Sequence, residues 1–268
     1  MKKYRLDELL VLKNLVDSRI KAREFILDGK VYVDGQVFYK PSKKFREDIK
    51  IEINKPINFV SRGGYKLNKA INEFKLDVKN KVCIDIGAST GGFTDCLLKN
   101  GAKLVIAVDN GKNQLHQSLI KNPQIINIEE FNARNIEDLF KYPEKHKVPK
   151  ELINDAEIIT IDVSFISVTL ITQSISYIES KKKLNIIILI KPNFELTKEE
   201  IKYLKKGVLK DRKIILIVLL RTLRKIRNQG FKFINVIESP IKGDKGNTEF
   251  LAYFIKDENT RANGRAFI

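Results

Sequence analysis

Cysteine is scarce in this 268-residue chain. There are two, Cys83 and Cys96, and their spacing suits no metal site. A disulfide framework and a cysteine-ligated zinc are thereby excluded, no metal is expected, and a reducing cytoplasm is the expected setting. Long apolar runs are missing too. The longest, residues 186–190 and 214–220, fall far short of the ~20 residues needed to span a bilayer. No apolar stretch follows Lys2, Lys3, Tyr4 and Arg5, so no secretory leader is expected. Negative charge is in deficit. Asp and Glu number 33 against 50 Lys and Arg, a net charge of +17. Self-repulsion on that scale only destabilises a fold. It reads instead as a field for a polyanion, nucleic acid first and an anionic membrane surface second. A lysine-rich codon bias is the alternative source of the excess.

What is present suffices for a packed protein. Hydrophobic residues make up 43% of the chain, enough for a core in one medium domain plus a small one. Residues 1–53 form one compositional unit. Leu6, Leu9, Leu10 and Leu15 recur at helical spacing. A second helix opens at Asp17 or Ser18, with Ser18 as N-cap. It carries Ala22, Phe25 and Ile26 on its apolar face and ends at Asp28-Gly29. KVYVDGQV reads as two short strands about an Asp-Gly turn. Pro41-Ser42 breaks the chain, and residues 48–53 alternate as a last strand. That order, with SRIKAREFILDGKVYVDGQVFYKPSKK, resembles the S4 RNA-binding module. The resemblance implies basic side chains presented to structured RNA, here Arg5, Arg19, Lys21, Arg23, Lys30, Lys43 and Lys44. Binding through them would be salt-sensitive, because neutralised phosphates release counterions.

Residues 54–59, with Pro56, read as a linker. Beyond it, apolar β-branched runs at 82–86, 104–108, 158–162 and 186–190 are separated by helix-length segments. This is the pattern of a parallel sheet covered on both faces. KIILIVLLRTLRKIRNQG is long enough for a helix, with a basic last turn and a glycine stop. Runs at 231–237 and 249–255 are joined by a segment too short for a crossover helix, so an antiparallel last strand is expected. Residues 257–268 form a polar tail, expected to be loosely held.

One stretch, CIDIGASTGGFTD, runs from an apolar strand through Asp85 into glycines and then a helix. Ligands of open parallel sheets bind beyond the carboxyl ends of the strands. Gly87, Gly91 and Gly92 let backbone approach a ligand closely. The stretch departs from GxGxxG, and an acid just ahead of the loop suits a pyrophosphate poorly. Asp85 suits a ligand with a cationic amino-acid end. Asp109, at the end of VIAVD, can accept two ribose hydroxyls. Asn132, in FNARNI, falls where a third strand should end, a place for adenine contacts. S-adenosylmethionine is favoured over a dinucleotide.

Four more charges stand out by placement. Lys66 lies ahead of the sheet in SRGGYKLNKA, Asp162 and Lys191 end apolar strands, and Glu249 opens the last one. A lysine ending a buried strand is costly unless paired or functional. At this point residues 60–255 resemble the FtsJ-like ribose 2′-O-methyltransferases. The whole chain, with SRGGYKL, DIGASTGGFTD, VDNG, NARN, IDVSFIS, KPNFE and GNTEFL, resembles the TlyA/hemolysin A family. The resemblance implies a Rossmann-like α/β class I methyltransferase domain (60–268) behind a small α+β S4 domain (1–53). It implies 2′-O-methylation of cytidine ribose in 16S and/or 23S ribosomal RNA, with ribosomal RNA or ribosomal subunits as the partner. It further implies a Lys66-Asp162-Lys191-Glu249 tetrad and a cofactor loop of Asp85, Gly87, Ala88, Ser89, Thr90, Gly91, Gly92, Phe93 and Thr94. Asp109, Asn132 and Asp162 complete the cofactor set, and Arg62 joins the RNA contacts. Lys191 is expected to serve as general base, a role that requires the neutral amine. LTKEEIKYLKKGVLKD, after KPNFE, matches no motif and is expected to shape the RNA groove. A membrane-active toxin, a catalytically inactive RNA-binding protein and a nicotinamide-dependent enzyme are the competing readings.

Overall fold

VCIDI, LVIAV, AEIITI and LNIIILI are apolar on nearly every residue, which suits strands buried on both faces. The computed structural model describes residues 3–27, 30–53, 58–178, 182–243 and 245–256. They form two units, divided between Asn58 and Phe59.

The first unit opens with β1 (Lys3–Arg5), α1 (Leu6–Leu12) and α2 (Arg19–Leu27). The strands β2 (Val31–Val33), β3 (Gln36–Val37), β4 (Lys44–Arg46) and β5 (Ile51–Ile53) follow. Ser18 Oγ accepts the Lys21 amide at 3.3 Å and so caps α2. Asp34 and Gly35, both at positive φ, turn β2 into β3. Leu6, Leu10, Ala22, Ile26, Val31 and Val33 supply the core. Two expectations are corrected. Leu15 lies outside α1, though it packs on the same core. The last strand starts at Ile51, not at 48, because the Arg46 guanidinium draws Asp48 into a turn at 2.8 and 3.2 Å. The Lys44–Arg46 segment just before it is a strand that pairs with β1. Asp28-Gly29, linker residues 54–57 and the tail 257–268 lie outside the described residues.

In the second unit α3 (Arg62–Phe74) precedes β6 (Val82–Ile86), α4 (Gly92–Lys99), β7 (Leu104–Val108), α5 (Gln117–Ile120) and β8 (Ile125–Ile128). Next come α6 (Ile136–Lys141), α7 (Lys150–Asn154), β9 (Ala156–Ile161), α8 (Val168–Ser176) and β10 (Leu184–Ile190). The chain closes with a hairpin, β11 (Leu204–Lys205) and β12 (Val208–Leu209), then α9 (Arg212–Asn228), β13 (Lys232–Glu238) and β14 (Phe250–Lys256). Seven strands form one sheet in the order β8-β7-β6-β9-β10-β14-β13. β14 is antiparallel to both neighbours, as the short connection before it requires. This is a Rossmann-like α/β sheet whose strand order reverses between β6 and β9. β9 and β10 each begin two residues earlier than the sequence suggested.

Side-chain alternation sorts the core into two layers. Ile84, Ile86, Ile159, Ile161, Ile186 and Ile188 face α6, α8 and α9. Cys83, Val105, Ile158, Ile187 and Leu251 face α3 and α4. Both cysteines are buried in the second layer, where burial pushes the Cys83 thiol up to about 12 and the Cys96 thiol up likewise.

Lys256, at the end of β14, is buried. Its Nζ donates to the carbonyls of Ile175, Ser176 and Ile178 at 2.8, 2.7 and 2.6 Å. It thereby caps the carboxyl end of α8, where carbonyls lack intrahelical partners and the dipole favours a cation. Lys256→Met should cost about 1–3 kcal/mol by leaving those acceptors without their donor. The measurement is urea unfolding, with a lower midpoint at an unchanged slope.

Candidate active site

The parallel register decides where the chain leaves the sheet. Ile86 of β6 pairs with Ile161 of β9, and Ile161 with Ile188 of β10. Gly87 and Asp162 therefore emerge side by side at the carboxyl end, and Lys191 leaves β10 two residues further along at the same end of the sheet. Gly87 has φ +85°, and a Cβ there would overlap the Asp162 carbonyl oxygen. Only glycine lets the two loops touch so closely.

Two adjoining clefts open at this end. The first, about 280 Å³, is lined by Lys66, Asp162, Lys191 and Glu249, together with the loop after β6. Lys66 projects from α3, so it comes from a helix lying over the sheet. Its Nζ donates to Glu249 Oε2 at 2.6 Å, with both side chains largely buried. Lys191 Nζ donates to Ser164 Oγ at 2.8 Å and lies 2.7 Å from Asp162 Oδ1. That last contact has the distance of an ion pair but not the alignment of a hydrogen bond. Asp162 Oδ1 is thus a buried acceptor with no donor aligned on it among the described residues. The four residues make two amine–carboxylate pairs that line one cleft, an arrangement able to orient a hydroxyl and, with a neutral amine, to take up its proton.

The second cleft, about 690 Å³, shares Gly87, Ser89, Asp162 and Ser164 with the first. Val108, Val163 and Ile166 give it apolar walls, and Asp109 and Asn132 stand among its polar groups. Asp109 accepts the Ser89 amide at 2.8 Å and the Gly111 amide at 2.7 Å, one on each oxygen. Each oxygen keeps a free lone pair for a ligand hydroxyl. Asn132 stands four residues beyond β8, and its side chain caps a short 3₁₀ turn through the Arg134 amide at 3.0 Å.

Residues 59–256 match the FtsJ-like methyltransferase family, and residues 5–48 match the S4 domain. The chain belongs to the FtsJ-like methyltransferase family. Hemolysin A of Brachyspira hyodysenteriae is 43% identical over 94% of this chain and 99% of its own length. The 23S rRNA (cytidine-2′-O)-methyltransferase TlyA of Campylobacter jejuni is 37% identical, over 93% of this chain and 99% of its own. The 16S/23S rRNA (cytidine-2′-O)-methyltransferase TlyA of Mycobacterium tuberculosis is 31% identical, over 97% and 92%.

Within the FtsJ-like unit, Gly87, Ala88, Ser89, Thr90, Gly92 and Phe93 line the first cleft, while Asp85, Gly91 and Thr94 do not line either. Asp85 is fully buried under the loop, and its carboxylate accepts Thr94 Oγ1 at 2.7 Å and Thr160 Oγ1 at 2.8 Å. It therefore holds the loop to the sheet from beneath it. Three residues escaped the sequence reading. Ser164 bonds Lys191. Phe165, at φ 65° and 89% exposed, stands at the rim of the second cleft. Glu195 accepts Ser167 Oγ at 2.5 Å and the Val168 amide at 2.8 Å. A strained exposed aromatic leaves no mark in composition or periodicity.

Arg62 lines the first cleft from the start of α3. In the S4 unit, buried Asp7 engages two of the expected cations. Arg5 donates to it at 2.9 and 3.0 Å, and Arg19 at 3.4 Å. Burial works against the Asp7 charge, yet these bonds hold its carboxyl below the usual range. Lys21 pairs with Asp17 at 3.2 Å. Arg23, Lys43 and Lys44 are exposed, and Lys30 lies half-buried, 5.6 Å from the centre of the Phe25 ring.

Burial pushes the Asp85 carboxyl up to about 6, against the hydrogen bonds from Thr94 and Thr160. The folded state therefore holds a proton that the unfolded chain has released above its ordinary value near 4. Stability should fall as pH rises from about 4 to 6, by roughly 3 kcal/mol from this group alone. Asp85→Asn should flatten that slope in denaturant titrations at stepped pH.

Proposed function

We propose that the protein methylates the 2′-hydroxyl of a cytidine ribose in ribosomal RNA, using S-adenosylmethionine. The observation that carries this reading is that the Lys66–Glu249 and Lys191–Asp162 pairs line one cleft, which shares residues with that of Asp109. The named activity of the TlyA relatives in Campylobacter and Mycobacterium agrees with it. So do the S4 match and the net charge of +17, which suit an RNA partner.

The residues fit the cofactor. Asp109 offers two carboxylate lone pairs to a ribose, and Val108, Val163 and Ile166 offer apolar walls to a purine. The glycine loop leaves backbone exposed to an amino-acid end, and Asp162 lines both clefts. When bound, S-adenosylmethionine supplies a methyl group already activated on a sulfonium. What remains is to deprotonate and aim a weakly acidic hydroxyl. Lys191 Nζ, as the neutral amine, would be the proton acceptor, steered by Asp162 and Ser164, and would carry the hydroxyl proton away as the ammonium paired with Asp162. Lys66, fixed by Glu249, donates to the developing alkoxide. Phe165 offers a flat apolar face on which a base pulled from its stack can rest. The S4 unit adds phosphate contacts through Arg23, Lys30, Lys43 and Lys44, and through the outer faces of Arg5, Arg19 and Lys21.

Mapping 2′-O-methyl groups on ribosomal RNA with and without the protein is the direct test. No new methylated ribose would end the reading. Lys191→Ala and Lys191→Arg should each slow transfer by about 10²–10⁴-fold, while calorimetry shows S-adenosylmethionine still bound. Retained turnover in both removes Lys191 from the base role. Phe165→Ala should raise the KM for RNA by about 5–100-fold, the worth of one stacked base.

A further inference from the structure

The stretch LTKEEIKYLKKGVLKD, which no motif explains, folds into a built object. Leu204 pairs with Leu209 and Lys205 with Val208. Lys206 and Gly207, at φ 52° and 79°, make the tight turn whose twist suits a two-residue hairpin. Leu209 is buried in the main core. The hairpin is also stapled from the other side. Asn247, buried in the loop before β14, accepts the Leu209 amide at 2.8 Å and donates to the Gly207 carbonyl at 3.0 Å. The same Asn247 accepts the Gly243 amide on its own carbonyl at 2.9 Å. Gly243 and Glu249, both in this loop, line the first cleft. One side chain thus ties the hairpin to the segment that presents a tetrad residue.

The charges on this object are one-sided. Lys202, Lys205, Lys206, Lys210 and Lys245 are exposed. None makes an ion pair with a carboxylate of the described residues. The acids of the stretch are engaged elsewhere. Glu200 pairs with Arg221 at 2.6 Å, and Asp211 caps α9 by accepting the Lys213 and Ile214 amides. Glu199 bonds Thr197 and its own backbone. Like charges gathered on a rigid, twice-anchored turn repel one another and stabilise nothing in the fold. Their placement makes sense against a polyanion.

We propose that the β11–β12 hairpin, with Lys245 beside it, is a phosphate-gripping arm of the catalytic unit. It would hold the substrate RNA strand next to the target ribose and act independently of the S4 cations. The proposal rests on the RNA-methyltransferase reading for its partner. The geometry rests on the Asn247 staple and on buried Leu209.

The test is the full-length double variant Lys205→Gln, Lys206→Asn, where asparagine tolerates the positive φ of the turn. Lys79→Gln, Lys103→Gln, at the amino ends of β6 and β7, is the charge-matched control. Binding of transcribed ribosomal RNA is followed by fluorescence anisotropy from 50 to 300 mM salt, beside methyl transfer. The hairpin variant should bind RNA and show KM about tenfold weaker, with kcat and S-adenosylmethionine affinity unchanged. Its slope of log affinity against log salt should shrink by about 1.5, as expected for two lost phosphate contacts. The control should match the parent. An unchanged slope in the hairpin variant, or an equal loss in the control, overturns the arm. If the parent transfers no methyl group to RNA yet the hairpin variant loses binding and slope, the arm stands and the enzymatic reading falls. Weakened binding to phosphatidylserine vesicles, with RNA binding intact, would assign the arm to a membrane surface and overturn the proposal.

Discussion

The parallel pairing of β6, β9 and β10 is the constraint from which the site follows. Main-chain hydrogen bonds set β6 and β9 level at their carboxyl ends and let β10 run two residues further, and everything chemical happens in the next few residues. Gly87 can pass under the Asp162 carbonyl only because the strands that deliver both end together. Asp162 and Lys191 meet at 2.7 Å because β9 and β10 are neighbours. The strand order reverses beside β6, which opens the crevice where this α/β architecture binds ligands. A one-residue slip of β9 would turn Asp162 to the opposite layer and dissolve the pair.

Holding the loops is a separate task, and buried polar groups perform it. Glu195 reaches from the loop after β10 to the start of α8, where the free amides and the dipole welcome a carboxylate. Burial raises its carboxyl above the usual range, against the bonds from Ser167 and Val168. Arg221 on α9 donates to the Glu195 carbonyl at 3.1 Å while it pairs with Glu200. The loops that carry Asp162 and Lys191 are thereby clamped to each other and to two helices. Asp85 does the same for the glycine loop from below. An amine that must meet a hydroxyl within a fraction of an ångström needs this kind of support.

Much of this was legible in the residues, and the remainder was hidden for identifiable reasons. Asp162, Lys191 and Glu249 announced themselves because a charge ending an apolar run is expensive. Their pairing was not legible. Lys66 and Glu249 are 183 positions apart, and only the sheet order puts them together. The two threonines that Asp85 engages were not legible, because a strand-end acid looks the same whatever it faces. Its face follows from alternation with Cys83, which belongs to the layer under α3 and α4. Arg5 and Arg19 read as free cations because Asp7 is buried by folding, which composition does not report. β11 and β12 have two residues each, too few to show a period.

The two cysteines of the sheet layer have a practical use that their scarcity makes clean. A thiol reacts as its thiolate, and here the sulfur is both sealed from solvent and biased towards the protonated form. An alkylating reagent should therefore modify the chain only during excursions that lift α3 or α4 off the sheet. The labelling rate becomes a built-in clock for the breathing of the Rossmann layer, with no reporter to engineer and no surface thiol to mask.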